Sequence, residues 1–233
     1  MSRTLIEVWR EPVRGGYADA SVLGLTGLDR LLAARDGRIP APPIHHLTGL
    51  RPTAAGPGSA NFTMPASPWW QSPAGVFTTG VMAWLGDAPL GSAVSTALPP
   101  GKVLLTSELS MNFLRPVSVA SGSLVGRARL IRAGSRLGLS EVDVTDSRGN
   151  LLGHGSSRCF LFEVVSPPLQ PPDDLSWTPR EFDTPDPYLR PAPGEVLSQE
   201  VWDSTSGLDV LRGIVVWTAP AMAMPARYAS APP

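Results

Sequence analysis

The sequence predicts an α+β fold in which one long apolar helix lies against an antiparallel sheet. Two observations predict it. Residues 74–98 form a long apolar stretch, and four strand-like runs follow it at 103–113, 122–133, 137–146 and 151–164. A run of strands set beside a single helix, without βαβ alternation, is an α+β pattern.

In chain order, residues 1–42 form an N-terminal extension. Thr26-Gly-Leu-Asp29 resembles a helix start, with Leu28, Leu31 and Leu32 on one face and Gly37 as a stop. Pro40, Pro42 and Pro43 end that helix and predict an extended lead-in to the next unit, which spans 43–164. Residues 59–64 read as a strand, and 65–73 as a proline-bounded loop. The apolar stretch is long enough to suggest a membrane span. Asp87 and Pro89 sit near its middle, and Gly75, Gly80, Gly86 and Gly91 dilute it, so a buried helix ending at Pro99-Pro100-Gly101 is expected. In the third run, Leu139, Glu141 and Asp143 alternate with Val142 and Val144, the period of a half-exposed strand. Asp146-Ser-Arg-Gly149-Asn150 supplies the turn chemistry of a hairpin. The four runs after the helix are expected to form a meander.

Residues 165–233 open with a proline-rich, acidic linker. Within them Ser206-Gly-Leu-Asp-Val-Leu211 echoes Thr26-Gly-Leu-Asp-Arg-Leu31, and chance or a remnant of a second repeat would both account for the match.

Composition excludes several classes. A formal net charge of -1 argues against a dominant electrostatic affinity for nucleic acid. The single cysteine, Cys159, excludes an intramolecular disulfide and fits a reducing compartment, so a cytoplasmic protein is expected. Cys159 lies in an alternating apolar run and reads as a packed core thiol. The N-terminus carries no apolar secretory stretch. His45 and His46 are adjacent, hence on opposite faces if extended, and no metal or cofactor site is expected.

Asp87 stands out as a lone carboxylate in an apolar helix. Such a residue pairs with a partner, points out through a wet edge, or serves chemistry. At the helix start, Thr78-Thr79-Gly80 supplies hydroxyls and a backbone without a side chain. Helix-start N–H groups suit developing negative charge, although an ordinary threonine cap would look the same. Gly80 and Asp87 share a face but lie about 10 Å apart along the axis at about 1.5 Å per residue. A base and an oxyanion donor must each come within about 3 Å of the reacting group. One helix therefore hardly serves both ends of one substrate, whereas two antiparallel copies do.

The segment from Ser72 to Gly91, Ser-Pro-Ala-Gly-Val-Phe-Thr-Thr-Gly-Val-Met-Ala-Trp-Leu-Gly-Asp-Ala-Pro-Leu-Gly, resembles the helix segment of the phenylacetate-degradation (PaaI-type) hotdog thioesterases. Thr106-Ser-Glu-Leu-Ser-Met-Asn-Phe-Leu-Arg-Pro116 resembles that family's next strand. Arg132 to Arg136 and Asp146 to Ser157 resemble its later ones. The resemblance covers about half of the chain. It implies a hotdog fold, a long helix wrapped by a curved sheet, and an acyl-CoA thioesterase working as a homodimer or a dimer of dimers, with no membrane partner. By match, Asp87 falls on the general base or nucleophile, Gly80 on the oxyanion glycine, and Thr106 on a hydroxyl that helps hold the water. Gly134 and Arg136 fall in the segment that approaches the coenzyme, followed by Ser156 and Ser157. Arg132 adds charge there, and Trp69, Trp70, Phe77 and Trp84 are candidates for the acyl channel or for plain core. The chain departs from the family pattern at Ser72, where an Asn is usual, and at Thr78, where a His is usual. Pro89 removes the bond to the Leu85 carbonyl and predicts a kink beside Asp87. Two further readings stay open: a hotdog that binds acyl-CoA without hydrolysing it, and the product of a truncated double-hotdog gene.

Overall fold

The structure, a computed structural model, describes residues 13–164 together with 172, 173, 175, 177 and 178. The echo at Ser206 lies outside the described residues. Among the described residues, three α-helices and six strands follow one another: α1 (Gly27–Arg35), α2 (Pro43–Thr48), β1 (Arg51–Gly56), β2 (Ser59–Pro65), α3 (Thr79–Ser95), β3 (Lys102–Phe113), β4 (Ser123–Ala133), β5 (Leu137–Thr145) and β6 (Leu151–Glu163). The strands form one antiparallel sheet in the order β1-β2-β4-β5-β6-β3.

The apolar stretch is α3, and it contacts every strand from β2 to β6. Met82, Leu85, Gly86, Pro89, Leu90, Ala93 and Val94 are its buried face, spaced at three and four residues as a helix requires. Each large apolar side chain buried there contributes about 1.5–3 kcal/mol. The sheet's alternation answers it. Leu124 and Ala128 of β4, Val142 and Val144 of β5, and Cys159 and Leu161 of β6 point inward. Sheet and helix approach closely at two glycines. A Cβ at Gly138 would stand 2.3 Å from Val94 Cγ1, and one at Gly126 would stand 3.0 Å from Pro89 Cγ and 3.4 Å from the Leu85 carbonyl. The carbonyl that Pro89 deprives of its helical partner thus faces bare backbone, and the proline ring lies in the core rather than beside the acid.

The structure departs from the expectations at three places. A sixth strand, β1, pairs with β2 across Pro57-Gly58, where Gly58 has φ 69°. Pro52 and the bulge at Pro52/Ala54 hid it in the sequence, and an edge strand tolerates both. The four later strands are not a simple meander. Although β4, β5 and β6 are consecutive neighbours, β3 lies beside β6 at the far edge. Finally, the prolines before the sheet do not make an extended lead-in. Pro43 opens α2, where its missing N–H costs nothing, and Gly49 ends that helix at φ 68°. His45 and His46 are consequently helical neighbours, not residues of a strand.

The extension folds onto this frame. Thr26 caps α1 by accepting from the Asp29 N–H, and α1 packs on β1 and α3. The Gly27 N–H donates to the Leu98 carbonyl at 3.0 Å, and a Cβ at Gly27 would overlap the Ser95 carbonyl oxygen. No helix among the described residues is long and apolar enough to cross a membrane.

Candidate active site

Because Leu85, Gly86, Pro89 and Leu90 turn inward, the helical repeat turns Asp87, Ala88, Gly91 and Ser92 toward the β3 edge of the sheet. Thr106 of β3 meets Asp87 there. Its Oγ1 donates to Asp87 Oδ1 at 3.0 Å. These two residues stand at one end of a recess of about 390 Å³ between α3, β3 and α1, walled by Leu23, Val103 and Leu104 and also lined by Arg30. A carboxylate oriented by a hydroxyl, half-exposed and facing a recess, can accept a proton from a water held beside it.

Cys159 sits behind this pair, directly opposite Thr106 in the β3–β6 register. It is a core thiol, as expected, and burial raises its pKa. Hydrogen bonding with the neighbouring Ser157 and Thr106 hydroxyls opposes that shift, and the Asp87 charge adds to it. Its closeness to the acid follows from strand register, which no local pattern announces.

Gly80 is the second residue of α3, exposed, with open space where a Cβ would stand. Thr78 is the N-cap by backbone conformation, yet its side chain makes no capping bond. Its own N–H donates to the Trp70 carbonyl at 3.0 Å. The first-turn N–H groups are thus left without a side-chain acceptor from the cap. Ser72 shapes the preceding turn through its backbone, its N–H reaching the Val76 carbonyl and its carbonyl accepting from Gly75. Asp87 and Thr106 are therefore brought together, whereas Gly80 and Thr78 lie at the N-terminal end of the helix and Ser72 in the turn before it.

The residues expected near a coenzyme divide in a similar way. Gly134 and Arg136 line a second recess of about 410 Å³ at the β4–β5 hairpin, together with Arg132 and Arg158. Arg158 was not anticipated. The β5–β6 register brings it opposite Leu139, and it also pairs with Glu108 at 2.9 Å. Ser156 shares the outer face of β6 with Arg158, two residues on. Ser157 points the other way, buried, with its Oγ 3.6 Å from Cys159 Sγ. Among the aromatic candidates, Trp84 donates to Thr48 Oγ1 at 3.3 Å and stacks edgewise on His45, which ties it to α2. Phe77 is buried in the core. Among the described residues, no three His, Cys, Asp or Glu side chains come together as metal ligands would.

The family model described as the thioesterase superfamily matches residues 74–152, from the turn before α3 to the first residues of β6. A phenylacetic acid degradation-related protein from Ralstonia eutropha JMP134 has a similar structure. It is 25% identical, with 56% of this chain and 98% of that one covered at a TM-score of 0.52. A thioesterase from Haemophilus influenzae is 24% identical, covering 60% of this chain and 92% of its own, with a TM-score of 0.50. AziG of S. sahachiroi is similar at 23% identity, 53% and 98% coverage, and a TM-score of 0.50. No curated protein matches the chain. Residues 74–152 match the thioesterase superfamily model, and the fold around them is the hotdog fold. Family and fold support a thioester hydrolase.

Proposed function

We propose that the protein hydrolyses acyl-coenzyme A thioesters in the cytoplasm, as a dimer or dimer of dimers whose hotdog unit is residues 43–164. The observation that carries this reading is the Thr106–Asp87 hydrogen bond at the mouth of a recess sized for a small acyl group. Asp87 takes a proton from water as the oxygen attacks the thioester carbonyl carbon. The carbonyl oxygen, gaining negative charge, is received by the Gly80 N–H at the helix start of a second copy, because the chain's own Gly80 lies about 10 Å from Asp87 along α3. Collapse of the intermediate breaks the C–S bond, and the leaving thiolate takes the proton back from Asp87. Arg132 and Arg136, with Arg158 beside them, suit the phosphates of the coenzyme.

The test is thiol release from a panel of acyl-CoAs, on protein of known oligomeric state by light scattering, with Asp87→Asn as comparison. The amide can still accept from Thr106, so the fold should hold while turnover falls by about 10²–10⁴, the usual contribution of a general base. An Asp87→Asn variant that keeps wild-type turnover refutes the assignment.

A further inference from the structure

Among the described residues, Arg30 is the one guanidinium that lines the Asp87 recess, and it comes from the extension rather than from the matched segment. Its Nη2 donates to the Lys102 carbonyl at 2.9 Å and its Nη1 approaches the Leu25 carbonyl at 3.5 Å. It has no carboxylate partner among the described residues. Burial depresses its pKa, although it keeps its charge. Two of its five N–H donors are occupied, and three are left for a ligand. The segment that carries it is held firmly. Gly27 is seated against Ser95, the Gly27 N–H is bonded to Leu98, and the Gly101 N–H is bonded to the Leu23 carbonyl. A half-buried cation held in place by neutral carbonyls is uncompensated among the described residues.

The recess has two distinct ends. From Asp87 to Ser95 along α3 is about 12 Å at about 1.5 Å per residue. From Thr106 to Lys102 along β3 is about 13 Å at about 3.3 Å per residue. The acid and the guanidinium therefore stand at opposite ends of a recess walled mainly by Leu23, Ala88, Val103 and Leu104. With about 3 Å given to the guanidinium contact and about 4–6 Å to the water standing between Asp87 and the acyl carbon, about 3–6 Å remains, the length of a dicarboxylic acyl chain of about four to six carbons, adipoyl being the longest.

We propose that Arg30 binds an anionic group at the far end of the acyl chain, so that the preferred substrates are half-thioesters of short dicarboxylic acids. This rests on the thioesterase reading for the thioester but not for the carboxylate. Wild-type protein should turn over adipoyl-CoA with a kcat/KM about tenfold or more above that of hexanoyl-CoA, which has the same length and no terminal charge. Arg30→Gln should raise KM for adipoyl-CoA by roughly 10- to 100-fold, the loss expected for one charge-assisted contact, and leave hexanoyl-CoA within about threefold. A purely structural Arg30 would lower both alike, and that result overturns the proposal, as does a wild-type preference for hexanoyl-CoA. Calorimetric binding of free adipate and hexanoate to the wild type separates the two claims. If no acyl-CoA is hydrolysed, the thioesterase reading fails by itself. The Arg30 site still stands if adipate binds in preference to hexanoate and Arg30→Gln removes that preference, and it falls if the wild type shows none.

Discussion

His45 gives a prediction whose size follows from its surroundings. It lies on α2 with its ring edge-on to Phe62 at 6.3 Å and to Trp84 at 6.0 Å between centroids. Burial, helped by the neighbouring His46, lowers its pKa from 6.5 to about 4. The folded protein therefore holds His45 neutral in a range where the unfolded chain binds a proton. Stability due to this group is complete above pH 6.5 and is lost as the pH falls toward about 4. At about 1.4 kcal/mol per tenfold difference in proton affinity, the whole interval amounts to at most about 3–4 kcal/mol, with about 2 kcal/mol gone by about pH 5. Carboxylates also change stability over this range, so the informative quantity is a difference. Urea denaturation of the wild type and of His45→Phe should be followed from pH 7.5 to 4.5. The wild type should lose about 2 kcal/mol more than the variant between about pH 7 and 5. Superimposable pH slopes would show that the ring is solvated in the folded state.

Two further variants test the helix–sheet contacts. Thr106→Val keeps the shape but removes the 3.0 Å bond to Asp87, and should lower kcat about tenfold with little change in KM, with Thr106→Ser restoring most of it. Gly138→Ala places a methyl 2.3 Å from Val94 Cγ1 in a fully buried contact and should cost about 1–3 kcal/mol in urea denaturation, and Val94→Ala in the same chain should recover part of that loss.

What the sequence disclosed depends on whether a feature is local. Asp87 was legible because a carboxylate in an apolar helix is anomalous whatever surrounds it, and the 146–150 turn because Asp146 bonds the N–H groups of Arg148 and Asn150 itself. The helix α2 was missed because three prolines close together suggest an extended chain. Pro43 at a helix start and Gly49 at its end carried the opposite signal. Strand β1 was missed for a similar reason, since Pro52, Gly56, Pro57 and Gly58 look like loop chemistry. The pairing of β3 with β6, the position of Cys159 behind the acid and the arrival of Arg158 beside Arg136 all depend on register. Arg30 was the least accessible. Its place depends on how α1 docks, and nothing in Thr26-Gly-Leu-Asp-Arg-Leu31 distinguishes it from a surface arginine.

The two edges of the sheet are protected differently, and the difference bears on the proposed dimer. At the β1 edge, Pro52, a bulge and the packed helix α1 discourage further pairing. At the other edge, β3 runs for twelve residues and exposes Leu105 and Phe113, at 64% and 44% of their surfaces. A long edge strand with exposed apolar side chains is an aggregation hazard unless something covers it. The same strand carries Thr106, so the uncovered edge and the open side of the Asp87 recess coincide. A second copy seated along β3 would remove the hazard and shield the carboxylate from water in one step, strengthening its interactions with the substrate. That coincidence supports a shared site more directly than the span of α3 does, because it concerns what the described residues leave exposed rather than what the reaction requires.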